Sequence, residues 1–449
     1  MSIVEERLGK QSVKKSFFQY FLPTIFGMML MSVNIVIDGI FVGNGVGSVA
    51  LASVNIAVPV FSIFISIALL IGVGGGTLYS IAVGAGDKEK GKRLFTISFA
   101  LITIITIIIA VIGFIFIEPL AKLFGANAET LSYALDYMRI LFIFSPILAW
   151  ETCLSIFVRN DGDPQLAMIG LVVSAIVNII LNYIMIFVVK WEVTGAAVAT
   201  MIATLIGLLI YTLHFFKKGS GLKFTTFKWN KRDLTQISTI GFPSFMSEAG
   251  IGIFVIGYNI AIAHYAGTNG IAAFSVINYL HTFMLLAFIG IGSSIQPMIS
   301  YYYGAKKYTS IKQTVKIAEV TGILLGVLFL GIGYIGADLL VSIFGVETEE
   351  IQELAVKGIK LFFLGYLFMG INFIYMTYYQ SIGYVRPSVG ITLFRGFILL
   401  IAMLLFLPML FGTAGVWLAL PVTEALVALV LLFVARKGVM RNQFDSRGF

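Results

Sequence analysis

An internal repeat constrains this chain more than any other feature of its sequence. Four landmarks recur at a constant offset of 220 residues: Pro23 as Pro243, Gly84-Ala85 as Gly304-Ala305, Phe124-Gly125 as Phe344-Gly345, and Gly195 as Gly415. The offset holds in loops as well as in apolar stretches. One half has therefore been duplicated with its loop lengths nearly intact, and the fold must be built twice.

Each half has the composition of a bundle of membrane-spanning helices. Of the 449 residues 59% are apolar and 12% are charged, about half the charged share of a soluble domain. Apolar stretches of about 20 residues, enough to cross a bilayer, lie near 17–41, 53–83, 94–117, 131–158, 166–189, 194–216, 237–263, 272–302, 314–336, 355–382, 388–411 and 414–435.

These stretches predict an all-α integral membrane protein with twelve transmembrane helices in two six-helix repeats. Because six is even, both repeats enter the membrane in the same orientation and are parallel. We predict an N-terminal lobe at 1–216, a cytoplasmic linker at 217–236 and a C-terminal lobe at 237–449. Repeats of this kind are typical of secondary transporters, whose two halves rock around a shared site.

The net charge of +8 is distributed so as to orient the protein in a membrane. With the N-terminus inside, most of the 30 Lys and Arg residues fall in cytoplasmic stretches, as the positive-inside rule requires. Those nearest the C-terminus are Arg436, Lys437, Arg441 and Arg447. We predict a multi-pass protein of the cell membrane with both termini cytoplasmic. The basic residues contact anionic lipid headgroups, and nucleic acid is not needed to explain them.

The glycine-rich stretches do not predict a nucleotide site. Gly72–Thr77 lies inside the second span without a preceding strand, so close helix packing explains it. The loop Gly86–Arg93 has Arg93 where a phosphate loop has Ser or Thr, and its repeat partner lacks the pattern. No spacing typical of metal ligands or catalytic motifs occurs. We therefore expect no enzyme activity and no cofactor, with an ion gradient as the energy source.

Asp38 is the first candidate for coupling to that gradient. It lies within the apolar first span, where an Asp costs about 2.5–3.5 kcal/mol to insert and is a functional-site hypothesis by default. A carboxyl group at that depth can bind and release a proton. The alternative is a helix-capping acid near the outer end of the span.

Two amides and a hydroxyl are weaker candidates. Asn178 and Asn182 are four residues apart in the fifth span and share one helix face. Their carbonyl oxygens can bind a cation, and their amides can equally well link helices. Thr200 in the sixth span is a weaker candidate still, because Thr also occurs where helices pack tightly.

Three further acids and one histidine lie at apolar depth: Glu151, Glu248, Glu424 and His281. Glu151, Glu248 and His281 are candidates for a substrate cavity. Glu424 can either take part in transport or be neutralised by Arg395 in the neighbouring span. His281 can relay protons, although a lone buried histidine is more often a hydrogen-bonded interior residue.

Pro23 lies in the same span as Asp38, fifteen residues before it. A proline in a spanning helix frees a backbone carbonyl and permits a bend, so the first span is predicted to be both hinged and charged.

In the second half, the tenth span is rich in Tyr and Met, including Tyr375 and Tyr379. Such a surface suits lipophilic cations, and ordinary packing is the alternative.

The ordered set of motifs resembles the multidrug and toxic compound extrusion (MATE) family, and its MepA-like branch most closely. The pieces that carry the resemblance are Pro23 with Asp38, the repeated loops at Gly84 and Gly304, Arg159–Pro164, Asn178–Asn182, Val193–Thr200, and Gly415–Pro421 with Glu424. The resemblance implies two six-helix lobes around a central cavity. It also implies alternating access, with export of organic cations in exchange for H⁺ or Na⁺.

The resemblance assigns the coupling site to Asp38, Asn178, Asn182 and Thr200, a possible Na⁺ site. Many relatives carry Asp where this chain has Asn182, so only one carboxylate remains. A C-lobe acid of some relatives is also missing, and Asn372 lies near that place, within the expected cavity. Coupling is then expected in the N-terminal lobe.

We therefore expect a monomeric antiporter that exports small organic cations. The alternative is a lipid-linked oligosaccharide flippase of the same superfamily. Flippases use a cationic cavity, whereas the intramembrane charge here is mostly acidic. A membrane enzyme would need clustered polar residues at one interface, and none stands out. A non-transporting scaffold would not retain costly acids at depth.

Overall fold

The computed structural model describes residues 2–345 and 348–436 and is built from α-helices, with no strand in those ranges. The basic residues Lys437, Arg441 and Arg447 lie outside the described residues. The fourteen helices of those ranges are α1 Val13–Gly45, α2 Ser48–Gly84, α3 Lys88–Ile115, α4 Ile117–Leu123, α5 Leu131–Asn160, α6 Pro164–Tyr183, α7 Glu192–Thr212, α8 Lys231–Gly304, α9 Tyr308–Ile343, α10 Glu349–Phe362, α11 Tyr366–Ser381, α12 Val385–Leu393, α13 Leu399–Phe411 and α14 Thr413–Arg436.

Short segments of tighter or wider helix join several of these elements. They are the π-helical turns Glu5–Lys10, Ile184–Val188 and Phe394–Ile398, and the 3₁₀ turns Leu213–Phe216 and Phe363–Gly365. Within the described residues, eleven helical stretches are long and apolar enough to cross a membrane. One of them, α8, has 74 residues and changes direction at Gly267, whose φ of 57° is not helical. It therefore contains two of the predicted spans, 237–263 and 272–302. The predicted all-helical membrane fold is confirmed.

The repeat is visible in the backbone of its turns. Gly86 and Lys306 occupy equivalent positions and both have left-handed backbone, with φ of 85° and 56°. Gly125 and Gly345 form a second equivalent pair, with φ of 102° and 62°. A left-handed conformation is unfavourable for lysine, so its retention at Lys306 shows that the turn geometry is imposed by the helices it joins.

The described chain divides into two compact units. The first contains the residues through Glu248 together with Ser293–Thr314 and Gln380–Gly383, and the second contains Ala249–Gly292, Val315–Tyr379 and the residues from Tyr384 onward. These units are defined by contacts. The division into lobes at 217–236 stays a prediction.

In the first unit, α2 packs against the C-terminal end of α8 through glycines. Gly84 faces the Tyr301 carbonyl and Gly304 faces the Ile81 carbonyl, with no room for a Cβ atom at either glycine. The 220-residue offset relates these two contacts, because it converts 84 to 304 and 81 to 301. The repeat therefore forms a symmetric pair of close backbone contacts in this unit.

A buried charged cluster fastens the predicted linker to the loop between α5 and α6. Asp161 is fully buried and accepts hydrogen bonds from Tyr79 Oη at 2.6 Å, His214 Nε2 at 2.7 Å and the Gly221 amide at 2.7 Å. Asp163 accepts from His214 Nδ1 at 3.3 Å and from Lys217 Nζ at 2.5 Å. Because a carboxylate only accepts hydrogen bonds, both ring nitrogens of His214 donate and the ring is protonated.

These contacts decide the ionisation of Asp163, which lies between the spans. Burial on its own raises the pKa of this carboxyl group, but the hydrogen bonds from His214 and Lys217 outweigh it and hold the pKa below its usual value. The cluster thus keeps Asp163 charged. It also caps α6, since Asp163 Oδ1 accepts from the Leu166 amide.

We expect Asp161→Asn to destabilise the protein strongly. The amide retains the shape of the side chain but removes its charge, and it turns N–H groups toward the donors of His214 and Gly221. Breaking a buried charged pair costs about 3–5 kcal/mol, to be measured as a lower midpoint of thermal unfolding in detergent. The matched control is Asp87→Asn, because Asp87 is an exposed N-cap and Asn caps equally well. Equal midpoints for the two variants would contradict the assignment.

Candidate functional site

Asp38 is held by amide groups from two helices in the first unit. Asn182 Nδ2, on α6, donates to Asp38 Oδ1 at 2.6 Å. Asn34 Nδ2, one turn earlier on α1, lies 3.5 Å from Asp38 Oδ2. Asp38 is partly exposed, whereas Asn182 is only 1% exposed. Within the described residues no Lys, Arg or His forms an ion pair with Asp38.

The hydrogen bonds continue from Asn182 to α7. Asn182 Nδ2 also donates to Asn178 Oδ1 at 3.0 Å, and Asn178 Nδ2 donates to Thr200 Oγ1 at 3.1 Å. Turning the Asn178 amide over gives a second arrangement, in which its nitrogen lies 2.7 Å from Asp38 Oδ1 and its oxygen accepts from Thr200. The structure thus brings together the four predicted coupling residues.

Local sequence positions these side chains. Pro164 occupies the first turn of α6 and Asp163 caps it, so the helix phase is set before Asn178 and Asn182, which follow on one face. The π-helical turn Ile184–Val188 begins two residues after Asn182. Turns of this kind are frequent at functional sites.

Two residues of the site were missed by sequence reasoning. Tyr137, on α5, lies near Thr200 and close enough to Asp38 to interact with its charge. Asn34 shares the helix face of Asp38. A tyrosine in an apolar span needs a partner for its hydroxyl group, and Asn34 precedes Asp38 by one turn. Both signals were available in the sequence.

The groups that face Asp38 include amide N–H donors and, in one orientation of Asn178, an amide oxygen. When Asn178 Nδ2 donates to Thr200, Asn178 Oδ1 faces the carboxylate, and turning the amide over replaces that oxygen with an N–H donor. Asn182 presents an N–H donor to Asp38, whereas hard cations take oxygen ligands. The described residues hold no group of three or more His, Cys, Asp or Glu side chains that could bind a metal. Within this site, the buried side-chain oxygen Asn182 Oδ1 has no hydrogen-bond partner.

Glu151 and Glu248 also lie in the first unit and are partly exposed. Glu151 is on α5, and its Oε1 atom is 3.5 Å from where a Cβ would lie on Gly207 of α7. Glu248 lies on α8. Neither makes a direct hydrogen bond to Asp38.

In the second unit, Asn372 and Arg395 hold the carboxylate of Glu424. Arg395 Nε lies 2.6 Å from Glu424 Oε1, and Asn372 Nδ2 donates to Glu424 Oε2 at 2.6 Å. The guanidinium group also stacks 3.9 Å from the centre of the Phe373 ring. Glu424 is fully buried. The neutralising role considered for Arg395 in the sequence is thus what the geometry provides.

The remaining predicted cavity residues are all buried in the second unit. His281 Nδ1 lies 3.1 Å from Tyr366 Oη, and its ring packs 4.8 Å from Phe254. Tyr375 Oη donates to Glu319 Oε1 at 2.6 Å, an acid of the ninth span that sequence reasoning missed. The Tyr379 ring packs 5.1 Å from Tyr378. Their role in a substrate cavity stays a prediction.

Comparison with known proteins identifies the family. The MatE family model matches residues 23–184 and 243–411, so its two matches begin at the repeated prolines. The multidrug export protein MepA of Staphylococcus haemolyticus is 29% identical over 427 residues, covering 95% of this chain and 94% of MepA. MepA of Staphylococcus aureus strain MSSA476 is 28% identical over 428 residues, with the same coverage.

Solved structures share the fold. A crystal structure of MATE in complex with MaL6 superimposes with a TM-score of 0.92 at 22% identity, covering 100% of both chains. A MOP superfamily transporter from Pyrococcus furiosus gives 0.92 at 22% identity, covering 100% of this chain and 99% of that one. The chain therefore belongs to the MatE family. It is a multi-pass membrane protein, and the predicted family and fold are confirmed.

We expect Arg395→Gln to destabilise the second unit more than the double change Arg395→Gln/Glu424→Gln. The single change leaves a buried carboxylate without its cation, which costs about 3–5 kcal/mol, whereas removing both charges leaves neutral groups that can still pair. Thermal unfolding of the purified variants measures this order. Arg386→Gln, at an exposed arginine of the same unit, is the control. A double variant less stable than the single one would show that the charges themselves are required.

Proposed function

We propose that this protein is an antiporter that exports small organic cations in exchange for protons by alternating access. The observation that carries the proposal is Asp38: a carboxyl group in an apolar span, held by neutral amides and without an ion-pair partner among the described residues. A carboxylate with neutral partners can take up a proton without breaking an ion pair. The relatives named MepA are multidrug export proteins, which supports the export of organic cations.

The amides around Asp38 suit both protonation states. When Asp38 is ionised, Asn182 Nδ2 donates to it. When Asp38 is protonated, its hydroxyl group needs an acceptor. The unpartnered Asn182 Oδ1 becomes that acceptor if the amide turns over. Asn182 donates an N–H group to Asp38 rather than presenting an oxygen, and we favour the proton as the coupling ion.

In the proposed cycle, Asp38 takes up a proton when its site faces outward, and α1 bends at Pro23. Pro23 lies inside the continuous helix α1 and removes one backbone hydrogen bond. The bend lowers the volume available to the substrate, which leaves. When the site faces inward, the proton is released and a new cation binds. A potential of 100 mV adds about 2.3 kcal/mol for each net charge moved.

We propose substrate-binding roles for Glu248, His281, Asn372, Tyr375 and Tyr379. We further propose that the protein functions as a monomer in the cell membrane, with both termini cytoplasmic and two lobes joined at 217–236. A lipid-linked oligosaccharide flippase is not favoured, because the Arg395 charge is already matched by Glu424.

We expect Asp38→Asn to lower proton-driven export at least about tenfold, since the variant cannot exchange a proton. The measurement is movement of tetraphenylphosphonium in proteoliposomes under an imposed pH gradient, repeated with a sodium gradient. The control is Glu118→Gln, which removes an exposed acid paired with Lys122. Transport by Asp38→Asn at the wild-type rate would contradict the assignment of Asp38 as the coupling residue. Wild-type transport driven by sodium but not by pH would replace the proton with sodium.

A further inference from the structure

We propose that Glu151 is a second proton-carrying carboxyl group of the first half, which exchanges its proton with Asp38 along the facing sides of α6 and α7. The inference rests on the proposed proton coupling at Asp38. It gives Glu151 a role other than the substrate-cavity role considered from sequence.

Polar and small residues form a continuous row on each of the two helices. On α6 the row is Asn182, Asn178, Ser174 and Gly170, each four residues from the next. On α7 and the 3₁₀ turn that follows it, the row is Thr200, Thr204, Gly207, Tyr211 and His214, at alternating steps of four and three. Both spacings place a row on one helix face. The rows meet at the Asn178–Thr200 hydrogen bond.

Gly207 is the point at which Glu151 joins these rows. A Cβ atom at Gly207 would lie 3.3 Å from Ser174 Cβ and 3.5 Å from Glu151 Oε1. Both side chains therefore border the space that the glycine leaves. Ser174 Oγ donates to the Ala203 carbonyl at 3.0 Å and keeps its oxygen available as an acceptor. One turn along α6, about 6 Å away, Asn178 continues the row toward Asp38.

Four side chains along this path are not fully buried. Asp38, Glu151, Ser174 and Thr200 are all partly exposed, whereas residues 153–160, further along α5, are buried. Water bridging the polar groups completes a hydrogen-bonded path for a proton.

The charged and titratable groups around Glu151 come from two helices. Tyr211 of α7 lies beside it, and Arg159 lies two turns along α5, near enough to attract its charge. Thr152 Oγ1 is 3.4 Å from Glu151 Oε2. The inner side is closed by Tyr211, which is fully buried, packs in the space left by Gly170 and donates to the Ala167 carbonyl at 3.1 Å. Glu151 thus exchanges protons with Asp38 while the inner end is sealed against a leak.

The transfer balances in protons and charge. Asp38 gives up the proton of its carboxyl group to the chain of hydroxyl groups and water, and the chain passes a proton to the Glu151 carboxylate. Asp38 becomes a carboxylate that accepts from Asn182, and Glu151 becomes a neutral acid. Opening of the inner end past Tyr211 then releases that proton.

The test separates proton coupling from cation binding by means of two assays on Glu151→Gln. In proteoliposomes, the variant should lower pH-driven tetraphenylphosphonium movement about tenfold or more. Exchange of labelled for unlabelled tetraphenylphosphonium at equal pH should stay near the wild-type rate, because exchange needs no net proton movement. Glu151→Asp retains a carboxyl group and should recover much of the driven rate. Glu118→Gln, at the exposed acid, is the matched control and should behave as wild type.

Two results would overturn the inference: pH-driven movement at the wild-type rate in Glu151→Gln, or loss of exchange together with driven movement, which would make Glu151 a cation ligand. If Glu151→Gln does not give a monodisperse protein, the Gly207→Ala variant is used to test the proposal instead. It leaves the carboxyl group in place and inserts one methyl group between Glu151 and Ser174, and unchanged driven transport would then overturn the proposal. Failure of wild type under a pH gradient would instead remove the proposed proton coupling itself.

Discussion

A carboxylate inside an apolar bundle must be given partners, and this requirement organises the polar chemistry of both halves. Asp38 receives amide N–H groups, whereas Glu424 receives the guanidinium group of Arg395. The two solutions differ in what they allow. Breaking a buried carboxylate–guanidinium pair leaves one charge without its partner and is costly. A carboxylate held by neutral amides can gain a proton at the cost of rearranged hydrogen bonds, so Asp38 is the group fitted to exchange one.

The two halves share the same order of helices but differ in the residues at the position of the Asp38 site. The 220-residue offset places Tyr258 at the position of Asp38 and Leu420 at the position of Thr200. These two residues are also in contact, since Tyr258 Oη accepts from the Leu420 amide at 2.9 Å. The Tyr258 ring stacks 5.1 Å from Phe274. An aromatic core therefore occupies in the second half the place that a titratable group occupies in the first, which favours coupling in the first half alone.

The fold could be predicted from the sequence because each membrane helix is determined by the residues of its own segment. Length, apolar content and the even number of spans decide the architecture before any tertiary contact is known. For the site, the depth of Asp38 and the four-residue spacing of Asn178 and Asn182 pointed to the right side chains. The π-helical turns and the kink at Gly267 leave no comparable local pattern.

Contacts between distant segments were the part that sequence reasoning missed. Asp161 meets His214 across 53 residues and Glu319 meets Tyr375 across 56. No spacing rule links such pairs. They form because each buried polar atom must find a partner, and which partner it finds depends on how the helices are packed.

The chemistry of the inner contacts also bears on how the transporter can open. In the first unit, the contact of α8 with α2 and α5 includes hydrogen bonds between neutral groups: Asn160 Nδ2 to Gln296 Oε1 at 3.0 Å and Gln296 Nε2 to Thr77 Oγ1 at 3.1 Å. Such bonds are exchanged for bonds to water at about 0.5–1.5 kcal/mol each. Separating a buried charged cluster costs several kcal/mol more, and the Asp161–His214–Asp163 cluster lies entirely within the first half and its linker. In the proposed alternating-access cycle, α8 parts from α2 and α5 once per cycle. Because neutral groups form these hydrogen bonds, breaking them costs less than separating a buried charged cluster would.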